Sequence, residues 1–231
     1  MSVTVQPFRA VVFDLDGVLW DGEPLYHRAF NIVLEPDGHH VTAEEYNNII
    51  GFSVEAAWQW VHRRFGLVEP VGQLIAAYDR VVLELLRERV EPLPGVRELL
   101  AELRRRKVPM AVASASLRQW VDATLTGLGL DGAFAATVSA SEVARAKPAP
   151  DLYLLAAQRL GVPPERCLAM EDTKTGIAAA KAAGMFAVQV RVASTALPPI
   201  AEADLVIDDY SQFDVALVEG DQEGEHEGGS P

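Results

Sequence analysis

The chain has only one cysteine, Cys167, among its 231 residues. No disulfide can form within it, which favours a reducing compartment. Cys167 sits in the apolar run Arg166–Met170 and reads as an inert core thiol. No apolar run approaches the roughly 18 residues that a membrane helix needs. No basic segment followed by an apolar core and a small-residue cleavage site opens the chain, so a soluble, cytoplasmic protein is expected. No internal repeat is present. Basic side chains are scarce, with 20 Lys+Arg against 33 Asp+Glu and a net charge of −13. Nucleic acid and anionic membrane both call for a basic face, so neither is expected as a main partner. The shortage is local, however. No Lys or Arg follows Arg191, whereas ten acidic residues do, and the first 191 residues hold 23 acidic and 20 basic side chains. The body of the protein is nearly neutral, which suits an anionic substrate better than the total suggests.

Apolar residues make up 49% and charged residues 23%, which is ordinary globular usage. A chain of this length amounts to about one and a half domains. Arg9–Phe13 is a short apolar run ending at Asp14 and reads as a buried parallel strand. From Tyr26 to Val90 the pattern turns helical, with apolar residues at helical spacing in Glu55–Phe65 and Gln73–Arg89, until Glu91-Pro92-Leu93-Pro94-Gly95 breaks it. Strands and helices then alternate. Helices are expected over Pro94–Lys107, Leu117–Leu128, Pro150–Leu160 and Thr175–Ala183. Strands are expected over Pro109–Ser114, Ala135–Ser139, Arg166–Met170, Phe186–Val190 and Leu205–Ile207. Such alternation predicts an α/β fold, a Rossmann-like parallel sheet between helices, with an α-helical cap inserted after the first strand. The expected boundaries are a core over 1–20 and 91–218, a cap over 21–90, and an acidic, Gly-rich, disordered tail over 219–231.

Ligands of open α/β sheets bind at the carboxyl ends of the strands, so the residues just after each strand carry the functional information. Asp14-Leu15-Asp16-Gly17 follow the first strand, Ser114 the second, Lys147 a loop after the third, and Glu171-Asp172 the fourth. None of them is needed to build a core. Converging carboxylates repel and raise one another's pKa unless a cation neutralises them. Their oxygens suit a hard ion such as Mg²⁺, typically shared with a phosphate. The serine hydroxyl and lysine ammonium add donors for phosphoryl oxygens. A carboxylate nucleophile beside a metal opens an aspartyl-phosphate route, and a second carboxylate two residues away can exchange protons with the leaving alcohol and with water.

Asp14-Leu15-Asp16-Gly17-Val18-Leu19, Ser114-Ala115-Ser116, Lys147-Pro148-Ala149-Pro150-Asp151 and Glu171-Asp172-Thr173 with Gly176-Ile177 and Ala182-Ala183-Gly184-Met185 resemble, in order, the four motifs of the haloacid dehalogenase superfamily. The resemblance implies that Asp14 is the nucleophile and a metal ligand, and that Asp16 is the general acid/base with its backbone carbonyl on the metal. Ser114 and Ala115 would bind phosphate, and Lys147 would hold nucleophile and phosphate together. Asp172 would ligate Mg²⁺, with Glu171 helping directly or through water. Ser114 could instead cap the following helix, though Ser116 is the better cap candidate. The dehalogenases of the superfamily lack the second aspartate, so Asp16 favours phosphoryl transfer over carbon–halogen cleavage.

The helical insert is similar to the cap of the subfamily that includes sugar-phosphate phosphatases and β-phosphoglucomutases. It implies a small phosphorylated metabolite, a sugar phosphate or similar, as substrate. Gly51-Phe52-Ser53 resembles the cap loop that selects the leaving group, and Asp21–Leu25 resembles the hinge. Two positions depart from the mutases. Val54 stands where they carry an arginine, and Tyr26, with His27 beside it, stands where they carry a histidine, so His27 is a candidate substrate residue by a shift of register. Trp58, Trp60 and Phe65 read as cap core, and Arg63 and Arg64 as a solvated face. Arg104–Lys107 reads as cations at a helix C-terminus. The expected activity is that of a phosphatase. The alternatives are a β-phosphoglucomutase-like phosphomutase using the same intermediate, a non-enzymatic phospho-acceptor switch, and an inactive regulatory relative. The cap and the intact Asp16 argue against the switch, and the four intact motifs against the inactive relative.

Overall fold

The computed structural model describes residues 7–88, 90–193 and 198–220. The described residues fall into two compact units, one within residues 1–20, 92–118 and 131–231 and the other within 21–91 and 119–130. Residues 119–130, assigned to the core from the sequence, group with the helical unit. The acidic tail expected over 219–231 lies outside the described residues from 221 onward. Glu219 is described, and its backbone N–H donates to the Phe8 carbonyl at 2.8 Å.

The first unit is built on six strands: β1 (Ala10–Phe13), β2 (Met110–Ala113), β3 (Ala136–Val138), β4 (Cys167–Glu171), β5 (Phe186–Val190) and β6 (Leu205–Ile207). They form one sheet in the order β3-β2-β1-β4-β5-β6, and every pairing is parallel. From β1 the chain winds outward through β2 and β3, then returns to β4 on the other side of β1. The winding reverses between β1 and β4, which is where such sheets open a crevice for ligands. All residues of β1, β2 and β4 are buried, as expected of parallel strands covered on both faces. Helices α7 (Asp151–Leu160) and α8 (Lys174–Ala182) lie on one face, α7 against β1, β2 and β3, and α8 against β4 and β5. The side chains meeting there are small: Ala10, Ala111, Ala113 and Ala169 from the strands, with Ala156, Ala157, Ala179 and Ala180 from the helices. Strand alternation puts Cys167, Ala169 and Glu171 on this same face. Cys167 is a core thiol: it is fully buried, and burial, with a contribution from Glu165, pushes its pKa up to about 12.

The second unit holds α1 (Glu23–Leu34), α2 (Ala43–Asn47), α3 (Val54–Phe65), α4 (Val71–Leu86) and most of α6 (Arg118–Gly127); α5 (Val96–Arg105) belongs to the first. Ser53 caps α3 by accepting the Ala56 N–H, and Gly66 ends it in the left-handed conformation. The centre of this unit is aromatic. Trp58 is completely buried, with Phe30 at 4.6 Å and Tyr78 at 5.6 Å between ring centroids, and Tyr78 in turn touches Trp120. Trp58 therefore packs the core of the helical unit. Arg64 pairs with Glu45 at 2.8 Å on the helix surface, and Arg105 and Arg106 pair with Glu102 in the last turn of α5. No helix among the described residues is long and apolar enough to cross a membrane.

The Trp58 indole N–H has no hydrogen-bond partner, so its contribution is ring packing alone. Trp58→Ala should lower the free energy of urea unfolding by about 3–5 kcal/mol, whereas Trp58→Phe should lose less than half as much. Equal losses in the two variants would contradict this.

Candidate active site

The acidic residues of the site stand where strands end. The Asp14 N–H donates to the Met170 carbonyl at 2.9 Å, one step beyond the Phe13–Met170 register. The β1–β4 ladder thus carries Asp14 alongside Glu171, the last residue of β4. Lys147 arrives on the loop after β3, at a cis Lys147–Pro148 bond. Its ammonium donates to Asp14 Oδ1 at 2.6 Å, to Glu171 Oε1 at 2.6 Å, and to the last carbonyl of β2, Ala113, at 3.2 Å. Three strand ends meet on one nitrogen.

Glu171 is saturated with donors. Besides Lys147, its Oε1 accepts from the Tyr153 hydroxyl at 3.2 Å, and its Oε2 accepts from the Thr173 N–H at 2.9 Å and hydroxyl at 3.0 Å. It faces α7 and α8 because it continues the Cys167–Ala169 face. A Cβ at Gly176 would fall 1.7 Å from Glu171 Oε1, so only glycine lets α8 pass this carboxylate. Thr173 caps α8 through the Gly176 N–H.

Asp172, the next residue, differs. Its Oδ1 is buried and has no hydrogen-bond partner. It packs against Gly17, where a Cβ would lie 2.1 Å from Asp172 Oδ2 and where φ is +77°, a conformation that glycine alone adopts readily. Carboxylate oxygens of Asp14, Glu171 and Asp172 lie within 4.8 Å of one another. Asp14 is only 7% exposed.

The charges respond accordingly. Burial, together with the Glu171 and Asp16 charges, outweighs Lys147 and pushes Asp14 up to about 7. Burial, then the charges of Glu171 and Asp14, pushes Asp172 up to about 8. For Glu171, burial is outweighed by Lys147 and the Thr173 hydrogen bonds, and its pKa falls below the usual carboxylate value. Burial pulls Lys147 down, but Asp14 and Glu171 outweigh it and hold its pKa well above the ordinary lysine value. Lys147 and Glu171 are thus held charged, while burial pushes Asp14 and Asp172 toward their protonated forms, an effect that a bound cation would oppose. A buried, partnerless carboxylate oxygen next to raised pKa values fits an oxygen-liganded divalent cation.

Asp16 accepts from the Ser116 hydroxyl at 3.3 Å, and Ser116 N–H donates to Ser114 Oγ at 3.1 Å. The two loops carrying Asp16 and Ser114 are therefore joined through Ser116. Ser114 is buried and Ala115 exposed. The loop Asp16–Trp20 is braced by Tyr210, whose hydroxyl donates to the Val18 carbonyl at 2.5 Å.

The cap candidates lie in the helical unit. Gly51 turns with φ of +82°, and Phe52 is 51% exposed. Ser53 spends its hydroxyl on capping α3. His27 Nε2 contacts the Val41 carbonyl at 2.6 Å, and its ring stacks on Tyr46 at 4.7 Å, so it is engaged within its own unit. Tyr153 and Thr173, which complete the shell of Glu171, were not among the candidates from sequence. The readable signal for Tyr153 was a hydroxyl on the apolar face of a helix, which has to find a partner when buried.

A family model for haloacid dehalogenase-like hydrolases matches residues 8–184. The fructose-1-phosphate phosphatase YqaB of Escherichia coli is 37% identical over 189 residues, covering 80% of this chain and 97% of the relative. A phosphatase of phosphorylated carbohydrates from Thermotoga maritima is 34% identical over 181 residues, covering 77% of this chain and 82% of the relative. Among solved structures, CbbY from Rhodobacter sphaeroides, in complex with xylulose-(1,5)bisphosphate, superposes with a TM-score of 0.77 at 27% identity and covers 92% of this chain and 99% of its own. Together with an acidic crevice at the reversal point of a parallel sheet, these likenesses make the chain a member of the haloacid dehalogenase-like hydrolases, acting on phosphoric monoesters.

Proposed function

We propose that the protein is a Mg²⁺-dependent phosphatase that hydrolyses a small phosphorylated carbohydrate through a phosphoaspartate on Asp14. The observation that carries this reading is the Lys147 ammonium clamped between Asp14 and Glu171, beside an Asp172 whose buried Oδ1 has no hydrogen-bond partner. The relatives named for fructose 1-phosphate and for phosphorylated carbohydrates support the substrate class. The lone, buried Cys167 accords with a cytoplasmic location.

Lys147 holds Asp14 Oδ1, which leaves Oδ2 to attack phosphorus. Lys147, the Ser114 hydroxyl and the Ala115 N–H orient the phosphoryl oxygens. As the bond from phosphorus to the leaving alkoxide breaks, the Asp16 carboxyl delivers its proton to that oxygen. The resulting Asp16 carboxylate then takes a proton from water. The hydroxide attacks phosphorus, the bond to Asp14 breaks, and inorganic phosphate leaves. Asp14, Asp172 and the Asp16 carbonyl would hold Mg²⁺. Glu171, with both oxygens occupied by donors, would instead anchor Lys147. When bound, Mg²⁺ supplies the positive charge that keeps Asp14 and Asp172 ionised beside an anionic substrate. The mutases that the cap resembles carry an arginine where this chain has Val54. Val54 cannot grip a second phosphate, which favours water as the acceptor.

A panel of phosphorylated sugars and polyols, assayed for phosphate release with Mg²⁺, should contain substrates. Conversion of a sugar 1-phosphate to the 6-phosphate without phosphate release would instead establish a mutase. Asp14→Asn should lower turnover of an aryl phosphate by ~10³-fold or more; retained turnover would remove Asp14 as nucleophile. Asp16→Asn should slow it by about 10²–10⁴-fold, with labelled phosphate accumulating on the protein from a good leaving group.

The raised carboxylates have a sign that can be tested. Their folded pKa values, about 7 and about 8, lie above the ordinary 3.8. The folded, metal-free protein therefore binds more protons than the unfolded chain between those limits. Its stability contribution from these groups is present at low pH and is lost as pH rises through 7 to 8. Mg²⁺ should raise Tm more at pH 8.5 than at pH 6. Asp172→Asn should raise the metal-free Tm at pH 8.5, with less gain at pH 5, and should blunt the Mg²⁺ response. Thermal melts with and without Mg²⁺ at the three pH values check both, and a gain that grows toward low pH would contradict the assignment.

A further inference from the structure

We infer that Glu142 is a positioning residue that sets where the loop after β3 delivers the Lys147 ammonium. The inference rests on the reading of Lys147 as a phosphate-binding group. Glu142 ends a single 3-10 turn, Ala140–Glu142, just past β3. It belongs to none of the four motifs. Its carboxylate gathers donors from three segments. Oε2 accepts from the Ser139 N–H at 2.9 Å, from the Ser139 hydroxyl at 3.0 Å, and from Arg118 Nη2. Oε1 accepts from Arg159 Nη2 at 2.6 Å.

Both guanidiniums also grip β3 itself. Arg118 donates to Thr137 Oγ1 at 2.8 Å and to the Thr137 carbonyl at 3.0 Å, and Arg159 donates to the same carbonyl at 2.6 Å. Arg118 opens α6 directly after the Ser114–Ser116 loop. Arg159 stands on α7, which starts just beyond Lys147-Pro148. One carboxylate therefore ties together the loop of Ser114, the end of β3 and the helix that follows Lys147. The far end of the Lys147 loop is held separately, by Arg145 on both oxygens of Asp151 at 3.1 and 2.7 Å.

These side chains are 27%, 33% and 37% exposed for Glu142, Arg118 and Arg159, and ion pairs at such exposure contribute little to stability. What the network does control is register. Lys147 Nζ must stay 2.6 Å from two carboxylates and still meet a phosphoryl oxygen held by Ser114. A displacement of about 1 Å at such a centre costs up to ~10²-fold in rate. Activity should therefore depend on Glu142 far more than folding does.

The test is Glu142→Gln in the full chain, which keeps the size and removes the charge that both arginines share. With Mg²⁺ and an aryl phosphate, kcat/KM should fall about tenfold or more. The inhibition constant of inorganic phosphate should rise in parallel, with Tm shifted by no more than a few degrees. In a Lys147→Ala background the same substitution should change kcat/KM by less than about twofold, because coupled residues do not act additively. An unchanged kcat/KM and phosphate inhibition constant in Glu142→Gln overturns the inference, as does an equal fold loss in both backgrounds. Should Lys147→Ala not fold, Glu142→Gln combined with Arg159→Gln is the substitute. The pair should be no worse than the worse single variant, and a multiplicative loss overturns the inference. Wild-type turnover in Lys147→Ala would overturn the phosphate-binding reading itself, a result distinct from an impaired Lys147→Ala beside an unimpaired Glu142→Gln.

Discussion

A lysine ammonium removed from water must be matched by negative charge, because burying an ion costs several kcal/mol unless its partners are close and well aligned. Lys147, with its side chain 7% exposed, meets that condition through two carboxylates at 2.6 Å. Each of its partners is fixed by backbone already committed to the sheet: Asp14 by the extended β1–β4 ladder, Glu171 by its place in β4, Ala113 by the end of β2. The active crevice is therefore as rigid as the hydrogen-bond ladder beneath it. Moving any of the three strands by one residue would invert the side chains and leave a charge buried alone.

Small side chains make this convergence possible. α7 and α8 approach the sheet over alanines, and close approach is what lets the Tyr153 hydroxyl reach Glu171 from one helix and Gly176 pass it on the other. A larger residue at these positions would lift a helix away from the strand ends and strip Glu171 of the donors that keep it ionised. Packing in the core and protonation at the crevice are thus one constraint seen at two distances.

The sheet and the acidic site were legible in the sequence for a local reason. A buried parallel strand is a short apolar run, and the first polar residue after it is where the ligand sits, so Asp14, Ser114 and Glu171 announce themselves. Relations across elements were not legible. The grouping of residues 119–130 with the helical unit rests on contacts such as the Val90 N–H donating to the Gly127 carbonyl at 3.1 Å and on Tyr26 stacking on Trp120, which no periodicity reports. Ser53, a candidate substrate contact from its loop, also caps α3. His27, a candidate substrate residue by a shift of register, contacts the Val41 carbonyl and stacks on Tyr46, which its position in the chain does not announce. Glu142 gave no signal, because its importance lies in two arginines distant in sequence.

The two neighbouring acids, Glu171 and Asp172, show how strand parity divides chemical labour. They are adjacent, so they project to opposite sides of β4. One side is the interior, where Lys147, Tyr153 and Thr173 surround Glu171 with donors and lower its pKa. On the other, Asp172 meets Gly17 and no hydrogen-bond donor for its buried Oδ1, and its pKa rises to about 8. Two carboxylates of nearly equal intrinsic acidity are thus driven apart by which way each one points. The first is held toward its ionised form against a lysine, and the second is pushed toward its protonated form, where a cation would be needed to ionise it. Exchanging their environments would require a one-residue slip of β4, which the pairing with β1 on one side and β5 on the other forbids.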